Sequence, residues 1–259
     1  MVAAALCSIS CSKVQSNGTT GRFSIILNGD ADFGAATKAV SLDSYKNTNN
    51  YTVQIKNAKD RVIMECTGAD LTFPKELEIG TYTVKAFYGT DVAASRNAIY
   101  VEGSKTFAIE SGKDSHVSLD CVPTCGKISV EFDKDMSIYY KDYHVTYNGT
   151  NALGSTNITW LQNDTEPWYV KLEEKGETIT YMIHLTLKDE YRYVDENGEF
   201  HTSSQITNNF TLKPNKAHKL KIRPNYSPSS TEGGVNVTIT IDESTNDREY
   251  TIEVPNTWI

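Results

Sequence analysis

Two cysteines lie close together near the start of the chain, in the stretch "ALCSISCSK" at residues 5–13. Lipoprotein processing requires a small residue directly before the cysteine that receives the lipid, because the pocket of the peptidase is narrow there. Ser10 directly precedes Cys11, whereas Leu6 directly precedes Cys7. The spacing therefore favours Cys11 as a lipid-attachment site.

The stretch before Cys11 is shorter than a complete export signal. Ten residues precede this cysteine and none of them is Lys or Arg, whereas a signal peptide begins with a basic segment. We therefore expect the natural start to lie upstream of Met1; the alternative is an apolar N-terminus that is not processed. Residues 12–20, "SKVQSNGTT", are small and polar, which is typical of a flexible tether.

The other cysteines, Cys66, Cys121 and Cys125, allow several interpretations. Cys66 and Cys121 follow the alternation of neighbouring apolar residues, which favours burial as small hydrophobic side chains. A disulfide is an alternative, since compartments outside the cytoplasm permit one. A zinc site that adds His116 is another, but its spacing departs from the common Cys-x2-Cys pattern. We predict no metal site.

Aromatic side chains form the second candidate site, where Trp160, Trp168 and Tyr169 flank the stretch "LQNDTEP". Aromatic faces stack on sugar rings, so these three residues are a possible ligand platform. Trp160 also alternates with Ile158, and Trp168 with Val170 and Leu172, as in β-strands. This pattern is typical of tryptophan side chains packed in a core.

Short catalytic motifs are missing from the sequence. It contains no Gly-x-Ser-x-Gly elbow, no His-Glu-x-x-His and no glycine-rich phosphate loop. We therefore predict a protein without catalytic activity or cofactor. A hydrolase is the alternative, because a pair of glycosidase carboxylates leaves no local motif.

Charge and hydropathy limit the partners of the chain. The net charge is −8, and the Lys and Arg residues form no stripe, so nucleic acid is not an expected partner. No apolar run is long enough to cross a bilayer as a helix. Membrane contact is therefore expected through a lipid anchor.

The elements that position these residues are predicted to be β-strands, because apolar residues recur with a period of two. The clearest examples are "GTYTVKAFYG", "TITYMIHLTLK" and "GGVNVTITID". In the second stretch, Ile179, Tyr181 and Ile183 fall on one face, whereas His184 falls on the other. The sequence therefore predicts an all-β protein.

A break at residues 121–126, "CVPTCG", divides the strand-like stretches into two groups. Pro123 cannot donate a backbone hydrogen bond to a strand ladder, so a strand is expected to end here. We predict a signal remnant, lipidation site and tether at 1–20, an N-terminal β-sandwich at 21–122 and a C-terminal β-sandwich at 123–259. The predicted fold is two Ig-like or transthyretin-like sandwiches in tandem, with one long sandwich as the alternative.

A resemblance to a known family rests on stretches of strand and turn, which are "LEIGTYTVKAFYG", "YVEGSKTFAIESGKDSHVSLDC", "GKISVEFDKDM", "FTLKPNKAHKLKIRPN" and "GGVNVTITIDESTNDREYTIEVP". They cover most of residues 21–255 and resemble an uncharacterised two-domain lipoprotein family of Bacteroidetes, labelled as a domain of unknown function. That family is similar to fimbrillin-like surface proteins. The resemblance implies a lipid-anchored adhesive protein whose lipidated residue is Cys11.

We accordingly predict a structural or adhesive, fimbrillin-like lipoprotein of the cell envelope, placed on the outer-membrane surface. Its partner is expected to be a host or bacterial surface protein or a glycan. The chain is expected to be a monomer whose C-terminal stretch "REYTIEVPNTWI" closes its own sheet. The alternative is a carbohydrate-binding module of a gut glycan-uptake system, which requires exposed aromatic rings at Trp160 and Trp168.

Overall fold

The computed structural model describes residues 19–29, 42–194, 197–201, 203–226, 235–243 and 250–253. Strands dominate these residues, which confirms the all-β fold class. The helices are short and comprise α1 (Leu42–Lys46), α2 (Met136–Tyr139) and 3-10 turns at Thr48–Asn50, Gly68–Asp70 and Asp189–Tyr191. No helix in this part of the chain is long and apolar enough to cross a membrane.

Seven strands of the N-terminal half form one sheet. The strands of this half are β1 (Thr20–Gly29), β2 (Thr52–Asn57), β3 (Val62–Thr67), β4 (Lys75–Glu78), β5 (Gly80–Gly89), β6 (Ala94–Ser95), β7 (Tyr100–Ile109) and β8 (Asp114–Pro123). The sheet order is β3-β2-β5-β7-β8-β1-β4, with β1 parallel to β8. The pairing of β7 with β8 is confined to Val101 with Pro123 and Glu102 with Val122 in the described residues. The sheet therefore bends between β7 and β8. The strands β3-β2-β5-β7 form one layer and β8-β1-β4 form the other.

The strands of the C-terminal half form a second sandwich. They are β9 (Cys125–Phe132), β10 (Tyr140–Asn148), β11 (Ile158–Leu161), β12 (Trp168–Lys171), β13 (Glu177–Leu187), β14 (Tyr193–Val194), β15 (Phe200–His201), β16 (Ser203–Leu212), β17 (Ala217–Tyr226), β18 (Val235–Glu243) and β19 (Tyr250–Glu253). One sheet has the order β11-β10-β13-β16, the other β19-β18-β17-β9-β12-β6, and β14 pairs with β15.

Each half has its own hydrophobic core. In the N-terminal half, Val84 on β5 and Val117 on β8 belong to one buried cluster. In the C-terminal half, Ile183 on β13 and Leu220 on β17 belong to another. Successive side chains of a strand point to opposite sides, so the period of two in the sequence supplies one apolar face for each layer. The two cores confirm the predicted tandem sandwiches.

The predicted division between residues 122 and 123 falls where one strand gives way to the next. β8 ends at Pro123 and β9 begins at Cys125. We propose this point as the domain boundary. One short strand is an exception, and the sequence does not indicate it. β6 comes from the N-terminal half, yet it lies at the edge of a sheet of the C-terminal half.

Candidate functional site

The junction between the sandwiches is built on a short strand that crosses from one to the other. β6 lies in the connection between β5 and β7, and it pairs antiparallel with β12, which places Ala94 opposite Val170. The backbone N–H of Lys171 donates to the carbonyl of Ala93 at 2.9 Å. The sandwiches are therefore joined by a backbone hydrogen-bond ladder as well as by the chain itself.

Arg96 follows β6 directly and ties it to the loop after β11. Its guanidinium donates to the carbonyl of Thr159 at 3.1 Å and to the carbonyl of Glu166, and it forms an ion pair with Asp164. Asp164 also accepts from the backbone N–H of Leu161 at 2.8 Å. The Arg96 and Asp164 side chains are only 21% and 28% exposed, so water screens their attraction less than at an open surface.

Two tryptophans enclose the same guanidinium. The central carbon of Arg96 lies 4.5 Å from the centre of the Trp168 ring and 5.1 Å from the centre of the Trp160 ring. A cation at these distances is attracted by the electron-rich face of an indole. The indole N–H of Trp168 donates to the carbonyl of Thr159 at 3.1 Å, which holds its ring beside the arginine.

β12 contributes to both cores because its side chains alternate. Tyr169 is 2% exposed and belongs to the N-terminal core, whereas Val170 is fully buried in the C-terminal core. Cys125, at the start of β9, also belongs to the N-terminal core. Separating the two halves would therefore expose apolar side chains as well as break the ladder.

A cleft of about 820 Å³ lies beside the junction, and both halves line it. Ligand pockets commonly have this volume and often lie between domains. Its polar lining is dominated by carboxylates, which come from Asp91, Glu102, Glu173, Glu174 and Glu177.

Several of these carboxylates bind neighbouring groups of the protein. Asp91 forms an ion pair with Lys171 at 2.7 Å, which crosses the junction. Glu177 accepts from the backbone N–H of Asn151 at 2.7 Å and from that of Glu173 at 3.0 Å. These contacts hold the walls of the cleft in place, so these carboxylates serve structural roles.

The three aromatic residues expected to form a ligand platform do not share an exposed face. Trp160 is 1% exposed in the C-terminal core, and Tyr169 is buried in the other core. Trp168 is half-buried and packs against Arg96. Alternation places Trp168 and Tyr169 on opposite faces of β12, so these rings cannot form a common surface for a sugar.

The cysteines beyond the tether, Cys66, Cys121 and Cys125, are free thiols. Cys121 and Cys125 are buried, and Cys66 is half-buried. Burial raises the pKa of Cys121 and that of Cys125 to about 12. His116 lies on the outer face of β8, where its ring bonds Ser24 at 2.6 Å. In the described residues, no three groups of His, Cys, Asp or Glu are arranged to hold a metal ion.

A stacked histidine pair lies on the outer face of the four-stranded sheet. The rings of His144 and His184 are 4.4 Å apart and inclined by 13°. His184 also bonds Thr146 at 3.2 Å and Gln205 at 3.1 Å. Burial and the neighbouring His144 lower the pKa of His184, and Asp142 opposes them. This pair has no motif in the sequence, because it arises only from the register of β10 and β13.

The predicted lipid-attachment site, Cys11, lies outside the described residues, as does most of the tether. Arg96 is the main residue that sequence reasoning missed. Its surroundings, "DVAASRNAIY", indicate a loop between two strands, and no local pattern marks a segment that pairs with the other sandwich. The stretch carries one signal, a break in apolar alternation, which does not identify the strand that it pairs with.

Comparison with solved structures finds similar chains at low sequence identity. A fimbrial assembly protein from Parabacteroides distasonis has 12% identity and a TM-score of 0.48, covering 90% of this chain and 99% of that chain. The fimbrial anchor protein Mfa2 from Porphyromonas gingivalis has 10% identity and a TM-score of 0.43, covering 90% and 100%. No curated protein matches the sequence.

A family model covers nearly the whole chain. It matches residues 19–256 and is described as a domain of unknown function, DUF4493. The matched range includes both sandwiches and the junction between them. This match confirms the resemblance to a family labelled as a domain of unknown function, and the chain therefore belongs to the DUF4493 family.

Proposed function

We propose that the chain is a cell-envelope lipoprotein with a structural or adhesive, fimbrillin-like role and without catalytic activity. The observation that carries the proposal is the junction, in which β6 and Arg96 join the two sandwiches. A protein that bears load or presents a contact surface at a distance needs domains that do not move freely. An enzyme that closes on a substrate between two domains needs a hinge instead.

The junction opposes hinge motion through several independent contacts. Bending would break the pairing of β6 with β12 and the ion pair of Asp91 with Lys171. It would also expose the largely buried guanidinium of Arg96. Interfaces between domains of one chain usually permit relative motion unless they are extensive and apolar. Here β6 places part of the N-terminal half in a sheet of the C-terminal half. This shared sheet supports the proposal that the two sandwiches move together as a single mechanical unit.

The anchor in this proposal is a lipid on Cys11, and residues 12–20 act as the tether. One acyl chain binds a membrane only marginally, whereas several chains on one residue anchor a protein firmly. The acidic balance of the chain, with its net charge of −8, keeps such a protein soluble above the membrane. The outer-membrane surface is the proposed location.

The experiment is metabolic labelling with a palmitate analogue in a bacterium that expresses the chain behind a complete export signal. The wild-type chain and Cys7→Ala should incorporate label, because Cys7 lies in the segment removed with the signal. Cys11→Ala should incorporate none, and it should no longer be released by protease treatment of intact cells. Equal labelling of Cys11→Ala and wild type would refute the anchor.

A second measurement tests the single mechanical unit. Small-angle scattering of the purified chain should fit one rigid arrangement of the two sandwiches, and Arg96→Ala should broaden the distribution of sizes. If the scattering data of the wild-type chain can be fitted only by an ensemble of domain orientations, the two sandwiches are not rigidly joined and the proposed structural role is contradicted.

A further inference from the structure

β16 is an edge strand whose outer side is unpaired in the described residues. Its ten residues, Ser203–Leu212, pair with β13 from Thr186 opposite Ser203 to Glu177 opposite Leu212. The register is regular throughout, whereas β2 with β3 and β10 with β13 both contain a shift. A long regular edge presents a row of free backbone N–H and C=O groups to the surroundings.

The remaining described sheet edges carry features that limit pairing with another chain. β4, β11 and β19 each have four residues, and β6, β14 and β15 each have two, so they offer few free groups. β3 lies next to a register shift and carries Glu65. Natural proteins protect edges with short strands, charges, prolines or bulges. β16 has no charged residue, no proline and no bulge.

The sequence of β16 is complementary to itself in the antiparallel direction. Thr207 is its centre, and the residues on either side match in chemistry on the exposed face. Gln205 and Asn209 are both amides, and Ser203 and Thr211 both carry hydroxyls. When two copies pair about Thr207, amide meets amide and hydroxyl meets hydroxyl. Such cross-strand pairs form hydrogen bonds and stabilise a sheet.

The backbone of Asn209 shows in which direction the backbone N–H and C=O groups of these residues point. Its N–H donates to the side-chain oxygen of Asn208 at 2.8 Å. A ladder residue directed toward β13 would donate to that strand instead, so this N–H is directed to the open edge. Both backbone groups of one residue point to the same side in an antiparallel ladder. The backbone groups of Thr207 and Gln205, which are two and four residues away, therefore also point to the open edge.

We propose that β16 pairs antiparallel with β16 of a second copy of this chain, centred on Thr207, and extends the four-stranded sheet across a two-fold axis. A two-fold interface uses the same patch on both copies, so the patch must complement itself. A charged edge would place like charges opposite each other, whereas β16 avoids this cost. This dimer differs from the monomer that the sequence predicts, and its formation does not require the lipid anchor.

Sedimentation velocity over a range of concentrations tests the dimer with a matched pair of variants. Thr207→Lys places two ammonium groups opposite each other at the axis and should weaken association roughly tenfold or more, because like charges meet across the interface. Thr180→Lys adds the same charge on the same face of the central strand β13, opposite Asn209, and should leave association unchanged. Circular dichroism checks that both variants fold. A wild-type chain that stays monomeric up to about 1 mM, or equal effects of the two variants, overturns the proposal.

Cysteine cross-linking tests the register. In the proposed dimer, Thr207 lies opposite its own counterpart, within the Cα separation that a disulfide spans. Thr207→Cys should therefore form a covalent dimer under mild oxidation. Ser203→Cys should not, because its counterpart is eight residues away along the ladder, about 27 Å. Wild type gives the background from the natural cysteines. Cross-linking of Ser203→Cys in preference to Thr207→Cys contradicts this pairing.

Discussion

The central carbon of the Arg96 guanidinium lies 4.5 Å from the centre of the Trp168 ring. The arginine belongs to the N-terminal half and the tryptophan to the C-terminal half, so this contact spans the junction of the two sandwiches. It combines a cation–π contact with a shielded ion pair to Asp164. Removing the guanidinium leaves the carboxylate of Asp164 without its charge partner.

Arg96→Ala is therefore expected to lower the free energy of unfolding by about 2–4 kcal/mol. The cost is high because the Asp164 carboxylate stays largely buried without its cation. Urea unfolding, followed by tryptophan fluorescence, measures the change.

Arg22→Ala is the matched control for this substitution. Arg22 binds Asp114 through two bonds of 2.8 and 3.0 Å, but their side chains are 55% and 48% exposed. Exposed pairs contribute at most about 1 kcal/mol, so the control should be mild. Equal losses from the two substitutions would show that the junction adds no special stability.

Gly126→Ala should destabilise the C-terminal core by about 1–3 kcal/mol. A Cβ at this position would lie 2.4 Å from Cδ2 of Leu212 and 2.8 Å from Cδ1 of Leu172, so both leucines would have to move. Ser129→Ala on the same strand is the control and should change stability by less than about 0.5 kcal/mol. Thermal unfolding compares them. A Gly126→Ala protein as stable as wild type would contradict this packing.

His218 makes the fold sensitive to acid. Its ring is buried and stacks on Phe210 with 3.4 Å between ring centres, and neither ring nitrogen has a hydrogen-bond partner in the described residues. Burial lowers the pKa of His218 to about 3 in the folded state. The unfolded chain keeps the ordinary pKa of about 6.5, so it binds the proton first as the pH falls.

The His218 ring consequently makes the free energy of unfolding depend on pH. This free energy is highest above about pH 6.5, and it falls by up to about 1.4 kcal/mol per pH unit as the pH decreases toward 3. His218→Leu should flatten this dependence. Urea unfolding at several pH values measures it for both proteins. An NMR titration in which the His218 ring protons shift near pH 6.5 in the folded protein would disprove the assignment.

His144→Gln should raise the pKa of His184. Burial lowers that pKa most, and the neighbouring imidazole of His144 lowers it further, so removing His144 restores part of the difference. The two rings are stacked 4.4 Å apart, and protonating both would place like charges together. NMR titration of the His184 ring protons measures the shift. An unchanged pKa would mean that His144 does not contribute to lowering it.

Local patterns in the sequence predict much of the fold, because alternation depends on nothing beyond neighbouring residues. Ile179, Tyr181 and Ile183 were expected on one face of a strand, and all three are fully buried. Cys121 was expected to be buried, and it is. The break at Pro123 also coincides with a strand end.

The sequence by itself determined the class of fold, the two groups of strands and the candidate cysteine for a lipid. Tertiary structure alone decided which strands become neighbours, because pairing between distant segments leaves no local pattern. It placed β6 in the sheet of the other sandwich, Arg96 between Trp160 and Trp168, and His144 against His184. It also buried Trp160 and Tyr169 in separate cores. Alternation gives each strand two faces but does not indicate which core either face will contact.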